Sequence, residues 1–221
     1  MDVKTADIVI FGARTGTGLE LVKIARDAER HVVGVIRPDS DPSELLALGA
    51  EVVYADALNR KQVENAIATA HSNWIGVSTL GGPDNVDYKG NTTVIDAALK
   101  DGAGHFLLVS SLGCGDSRRF ASQRLLDAIG PVLEEKTKAE DYLQASGLSY
   151  TIVRPGGLIG DAPTGQGALY ESPAVHGRIN RTDLALLLWR CLENPLCQGK
   201  ILSAIDRTLL QAPQETQEFI S

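Results

Sequence analysis

The sequence predicts an α/β fold, a doubly wound parallel sheet with helices on both faces. Short apolar runs return at regular spacing along the 221 residues, and segments with helical periodicity separate them. A glycine-rich turn joins the first apolar run to the first helical segment, where a βαβ unit needs a tight backbone turn. Aromatics are only 5% of the chain against 43% hydrophobic residues, so the core is mostly Val, Ile, Leu and Ala, as buried parallel strands prefer.

The elements follow in order. Strands are expected at residues 7–11, 31–36, 51–54, 73–77, 105–110, 149–153 and 200–204. Helices are expected at 17–30, 42–48, 60–68, 89–101, 133–146 and 181–193. Gly49, Gly102 and Gly147 each stand just past a helix, where a C-cap takes positive φ. Two segments break the rhythm: an insertion at 113–131 and a glycine- and proline-rich loop at 156–177. Both leave the carboxyl ends of strands, where ligands sit in an open α/β sheet, so they are expected to wall a substrate pocket. The length suits one domain over residues 1–221.

Charge and composition exclude several classes. A net charge of −7 argues against nucleic acid or an anionic membrane as partner. No run of about 18 apolar residues suggests a membrane span. The start, MDVKTADIVIF, runs straight into a strand without a signal-peptide layout. Three cysteines, Cys114, Cys191 and Cys197, form no C-x-x-C pair and suit free thiols in a reducing, cytoplasmic setting. The four histidines, His31, His71, His105 and His176, show no metal-ligand spacing, so no metal is expected.

The chemistry begins at Gly12-Ala13-Arg14-Thr15-Gly16-Thr17-Gly18. Gly12 allows the turn, Gly16 lets backbone approach a pyrophosphate, and Gly18 lets the helix pack close to the strand. The helix N-terminus then offers N–H groups to phosphates. The spacing is G-x-x-x-G-x-G rather than G-x-G-x-x-G, so one loop residue is placed differently. Where an NAD-binding unit carries an acidic residue at the end of its second strand, this chain has Ile36-Arg37, with Arg14 in the loop. Two guanidinium groups pair with a ribose 2′-phosphate, and no carboxylate is expected there to repel it. The cofactor inferred is NADP(H), in a Rossmann-like fold.

GARTGTG, VIRPD, YADALN, VSTLGG, LLVSSLG, EKTKAEDYLQASGLSYTIVRPGGLIGD and INRTDLA together resemble the atypical short-chain dehydrogenases/reductases. The nearest group is the NmrA-like one that includes biliverdin-IXβ/flavin reductase, and the resemblance covers roughly residues 8–206. It implies that Gly12, Arg14, Thr15, Gly16, Thr17 and Gly18 hold the pyrophosphate and Arg37 the 2′-phosphate. It implies Asp56 and Ala57 against adenine, and Ser78, Thr79, Leu80 and Gly81 along the ribose. It implies Pro155, Gly156, Gly157 and Leu158 against the nicotinamide. Asp56 equally suits a cap on the helix that follows Asn59.

The departures from that family pattern matter as much. The usual catalytic set is a Ser with Y-x-x-x-K, in which the tyrosine supplies a proton. Lys136 matches the lysine, but Val132 stands where the tyrosine would be, and Tyr142 falls on another helical face. Alcohol–carbonyl and sugar-epimerase chemistry are therefore disfavoured. Leu158 stands where the tetrapyrrole-reducing relative has a histidine. Lys136 has two readings: a bridge to ribose hydroxyls, or a surface pair with Glu140 at i+4 on a solvated helix face.

Ser110 and Ser111 close the fifth strand pointing to opposite faces; Ser111 is the one placed near substrate, as proton donor or orienter. Arg118, Arg119 and Arg124 either greet an anionic substrate or stand as ordinary surface arginines. Asp183 is expected to offset a helix dipole.

The function expected is NADPH-dependent reduction of a conjugated acceptor such as a flavin, quinone or tetrapyrrole, with Ser111 and Lys136 catalytic. The alternative is a non-catalytic NADP(H)-binding redox sensor or scaffold of the NmrA type. A third option is an isomerase or dehydratase that keeps its nicotinamide bound. The partner expected is a small molecule, an anionic and aromatic one among the options, and the chain a monomer or small homo-oligomer.

Overall fold

The computed structural model describes residues 7–71, 74–211 and 216–219. The strands are β1 (Asp7–Phe11), β2 (Val32–Ile36), β3 (Glu51–Tyr54), β4 (Trp74–Ser78), β5 (His105–Val109), β6 (Tyr150–Pro155), β7 (Gly157–Ile159), β8 (Gly167–Tyr170), β9 (Arg178–Asn180) and β10 (Lys200–Asp206). The helices are α1 (Gly16–Asp27), α2 (Ser43–Ala47), α3 (Arg60–Ile67), α4 (Asn91–Asp101), α5 (Gln123–Ala145) and α6 (Arg181–Glu193). The expected strand at 73–77 begins on Asn73, which lies outside the described residues.

An eight-stranded sheet runs in the order β3-β2-β1-β4-β5-β6-β10-β8, and only the edge strand β8 is antiparallel. The order reverses between β1 and β4, which opens a crevice at the carboxyl ends of those strands. Successive side chains of β1 point to opposite faces: Ile8 and Ile10 join Leu21, Val22, Leu184 and Leu188 of α1 and α6. Val9 and Phe11 join Val63, Ile95 and Leu143 of α3, α4 and α5. The sheet is thus covered on both faces, as the apolar runs require. Gly49, Gly102 and Gly147 take φ of +72°, +79° and +85° at their helix ends.

The two segments read as irregular carry structure. Residues 113–131 hold a 3₁₀ helix (Gly115–Phe120) and the first turns of α5. Ser122 caps α5 by accepting the Leu125 N–H, so the helix starts ten residues before the expected Leu133. Pro131 is the cause of the misreading: it cannot continue the helical ladder, and the chain kinks beside it at Ile129, with φ −137°. Residues 156–177 hold β7 and β8, and β7 pairs in parallel with β9 to form a small flap beyond the main sheet.

Candidate functional site

The glycine turn is held with little room to spare. Gly12 has φ +83°, and a Cβ on it would stand 2.6 Å from Oγ1 of Thr79. A Cβ on Gly18 would meet the Gly12 carbonyl oxygen at 2.3 Å, so α1 packs directly against the turn. The Thr79 hydroxyl donates towards the carbonyls of Phe11 (3.1 Å) and Gly12 (3.2 Å), tying the end of β4 to the turn. Asn59, Ser122 and Asn180 cap their helices with side-chain oxygens, whereas Thr15 leaves the first N–H groups of α1 free of a side-chain cap. Those donors, with the helix dipole, fit a diphosphate.

A cavity of about 540 Å³ opens beside this turn, lined by Gly12, Arg14, Thr15, Arg37, Asp56, Ala57, Thr79, Leu80 and Gly81 among others. Arg14 and Arg37 are both exposed at its rim. Asp39 lines the same cavity, which corrects the expectation that no carboxylate stands near Arg37. Asp56 is not the helix cap. Its carboxylate accepts the Leu58 N–H at 2.9 Å, and Asn59 caps α3 instead. Ser78, expected along the ribose, is fully buried and donates to the Asn91 side chain at 2.6 Å. It anchors α4 rather than facing a ligand. Gly18 likewise lines neither cavity, as its packing role requires.

A second cavity, of about 790 Å³, continues from the first through the shared Thr15, Thr79, Leu80 and Gly81. Gly16, Thr17, Ser111, Lys136, Pro155, Gly156, Gly157 and Leu158 all line it. Lys136 Nζ stands 2.7 Å from Asp87 Oδ1 and 3.4 Å from the Leu80 carbonyl. The surface-pair reading of Lys136 fails, because Glu140 points inward and is 1% exposed. Tyr142 donates to Asp96 at 2.5 Å, which raises its hydroxyl pKa, and it lines neither cavity. Val132 does not line them either.

β5 ends at Val109, so Ser110 and Ser111 lie just past it. Both line the cavity: the Ser111 hydroxyl folds back to donate to the Leu112 carbonyl (3.0 Å), and that of Ser110 donates to Glu140. Glu140 also receives Nε (3.0 Å) and Nη2 (2.6 Å) of buried Arg154, whose Nη1 reaches Asp116. Burial pushes the Arg154 guanidinium down, but Glu140 and Asp116 outweigh it and raise its pKa. This ionic knot braces the floor of the cavity.

The cavity walls are apolar, from Leu112, Leu125, Ile129 and Leu158, with Arg124, Arg178 and Arg181 among them. Of the arginines singled out in the insertion only Arg124 reaches the cavity. Arg118 pairs with Glu134 at 3.1 Å and Arg119 stacks on Phe120. Arg178 and Arg181 escaped the sequence reading; their signal was the cap motif Asn180-Arg181-Thr182-Asp183, which sets the start of α6 at the cavity mouth. Asp87 escaped it too, since nothing in VSTLGG points to a residue five positions past it. Asp183 is in the first turn of α6 as expected, but it is buried and receives the N–H groups of Thr164 (2.8 Å) and Gly165 (2.9 Å). It tethers the loop before β8.

An NAD(P)H-binding family model matches residues 12–195, from the first glycine of the turn to just past α6. The chain belongs to this NAD(P)H-binding family. Within it, the chain is similar to the solved structure of ChuY, an anaerobillin reductase from Escherichia coli O157:H7. The identity is 36%, the TM-score 0.86, and the match spans 94% of this chain and 100% of that one. It is 30% identical to the uncharacterized sugar epimerase YhfK of Bacillus subtilis, over 80% of this chain and 84% of that protein. It is also 37% identical to sanguinarine reductase of Eschscholzia californica, over half of this chain and 41% of that longer protein. The Rossmann-like, atypical short-chain dehydrogenase/reductase resemblance seen in the sequence is the family's. No helix among the described residues is long and apolar enough to cross a membrane.

Proposed function

We propose that this protein is an NADPH-dependent reductase of a conjugated, anionic acceptor, of the flavin, quinone or tetrapyrrole kind. One observation carries the reading: the nucleotide groove runs into an apolar cavity whose charged lining includes three guanidinium groups, Arg124, Arg178 and Arg181. Apolar walls suit flat rings, and guanidinium groups suit carboxylates or phosphates. The reductase names of ChuY and sanguinarine reductase support the reaction class.

The bound nicotinamide supplies a hydride. The free N–H groups at the start of α1 hold the diphosphate, and Arg14 and Arg37 hold the 2′-phosphate and select NADP(H). Lys136, aligned by Asp87 and the Leu80 carbonyl, holds the nicotinamide ribose. Pro155 to Leu158, which line the cavity, would lie against the nicotinamide. Ser111 orients the acceptor. Hydride transfer then depends on distance and angle. A ring system that spreads the added charge takes its proton from water, so Val132 in place of a tyrosine is no obstacle.

The test is loss of reduced-nicotinamide absorbance with NADPH and a panel of free flavins, quinones and biliverdin. The expected result is turnover with at least one of them. Tight NADPH binding without turnover on any would replace the reductase by a nucleotide-sensing scaffold, the second reading that Val132 allows.

A further inference from the structure

At the opposite end of the sheet, three side chains from separate parts of the chain converge. Asp7 opens β1, His31 immediately precedes β2, and His71 lies between α3 and β4. The Asp7 carboxylate is buried, and among the described residues its ion-pair partners are the two imidazoles. Oδ2 lies 2.6 Å from Nδ1 of His71 and 2.9 Å from the His71 backbone N–H. Oδ1 lies 3.2 Å from Nδ1 of His31, yet that buried nitrogen has no hydrogen-bond alignment to any partner. The rings are 5.3 Å apart, centroid to centroid.

We propose that Asp7, His31 and His71 bind a divalent late first-row ion such as Zn²⁺. The candidate donor atoms all lie within 4.8 Å of one another. Around a tetrahedral ion with bonds of about 2.0–2.1 Å, donors stand about 3.3–3.5 Å apart, a small adjustment from this arrangement. Two imidazoles and a carboxylate are a donor set such ions favour, with solvent in the fourth position at exposed His71. A shared ion would give the buried His31 Nδ1 the partner it lacks.

His31 also has the outer partner that a ligating imidazole usually keeps. Its Nε2 is 3.5 Å from Oε2 of Glu51, at the start of β3. The ion would staple the amino ends of the first three strands to the segment before β4. Sequence spacing hid the group because Asp7 and His71 are 64 residues apart.

The untagged chain, stripped with chelator, is titrated with Zn²⁺ by calorimetry and with Co²⁺ by visible absorption. One ion per chain is expected. A melting-temperature rise of roughly 5–10 °C is expected at about 100 times Kd. His71→Ala, on an exposed side chain, keeps the fold and lowers affinity at least roughly tenfold. Asp7→Asn lowers it as well. NADPH affinity stays unchanged in His71→Ala, since the nucleotide groove lies at the other end of the strands. No saturable one-to-one uptake, or uptake undiminished in His71→Ala, overturns the proposal. So does uptake abolished by Cys191→Ser instead.

Discussion

Lys136 reaches across from α5 to place its ammonium 2.7 Å from the carboxylate of Asp87, and both side chains are largely buried. The contact is an ion pair, and the same ammonium donates towards the Leu80 carbonyl at 3.4 Å. Asp87 in turn accepts the Gly82 N–H at 3.2 Å. The pair therefore shapes the strand-end loop between the two cavities. Lys136→Met should weaken NADPH binding roughly tenfold or more, the worth of a hydrogen bond to a charged group. Asp87→Asn should weaken it less, because the ammonium stays. Equal binding by wild type and Lys136→Met in a fluorescence titration would remove Lys136 from the ribose.

Arg37 stands at the end of β2 with Arg14 opposite and Asp39 two residues on, all on the same cavity. The balance of these charges decides the coenzyme. Arg37→Glu should lower the NADPH-to-NADH affinity ratio at least roughly tenfold, through loss of a charge-assisted contact and repulsion of the 2′-phosphate. Asp39→Asn should move the ratio the other way. Calorimetry with both coenzymes reads this directly, and an unchanged ratio in Arg37→Glu refutes the assignment.

Much of this was legible in the sequence because it rests on local patterns. The apolar runs gave β1 to β6 and β10 within a few residues, and Gly12 and Gly18 are required by backbone crowding that any tight βα turn imposes. What stayed hidden depends on distant partners. Glu140 looked solvated because its neighbours in sequence are charged, yet its face of α5 turns inward to Arg154, fourteen residues away. Ser78 was placed along the ribose by the family resemblance, but its side chain turns towards Asn91. Arg178 and Arg181 reach the cavity only because β9 pairs with β7, a pairing too short to leave a periodic signal.

The Glu140–Arg154 pair is bidentate and buried, with Ser110 and Asp116 as further partners. Glu140→Gln removes the buried counter-charge of Arg154 and leaves it only Asp116, whose side chain is 62% exposed. The expected cost is about 3–5 kcal/mol of unfolding free energy by urea titration. Glu134→Gln, on the exposed pair with Arg118, should change stability by less than about 1 kcal/mol. Comparable losses in the two variants would mean that the buried knot contributes no more than a surface pair.

His105 begins β5 and is 5% exposed, with Nδ1 2.9 Å from the Ser149 hydroxyl and Nε2 3.1 Å from that of Thr151. Burial holds its pKa down, at about 4. The unfolded chain, with an ordinary histidine near 6.5, binds the proton first. Stability from keeping this imidazole neutral is therefore complete above about pH 6.5 and is lost progressively as pH falls towards about 4. The loss across that window is of order 3 kcal/mol. His105→Gln, which keeps a donor and an acceptor but does not titrate, should flatten that part of the pH profile even if it is less stable at neutral pH. Urea midpoints at pH 7 and pH 4.5 decide it. A slope as steep in His105→Gln as in the wild type would place the acid sensitivity elsewhere.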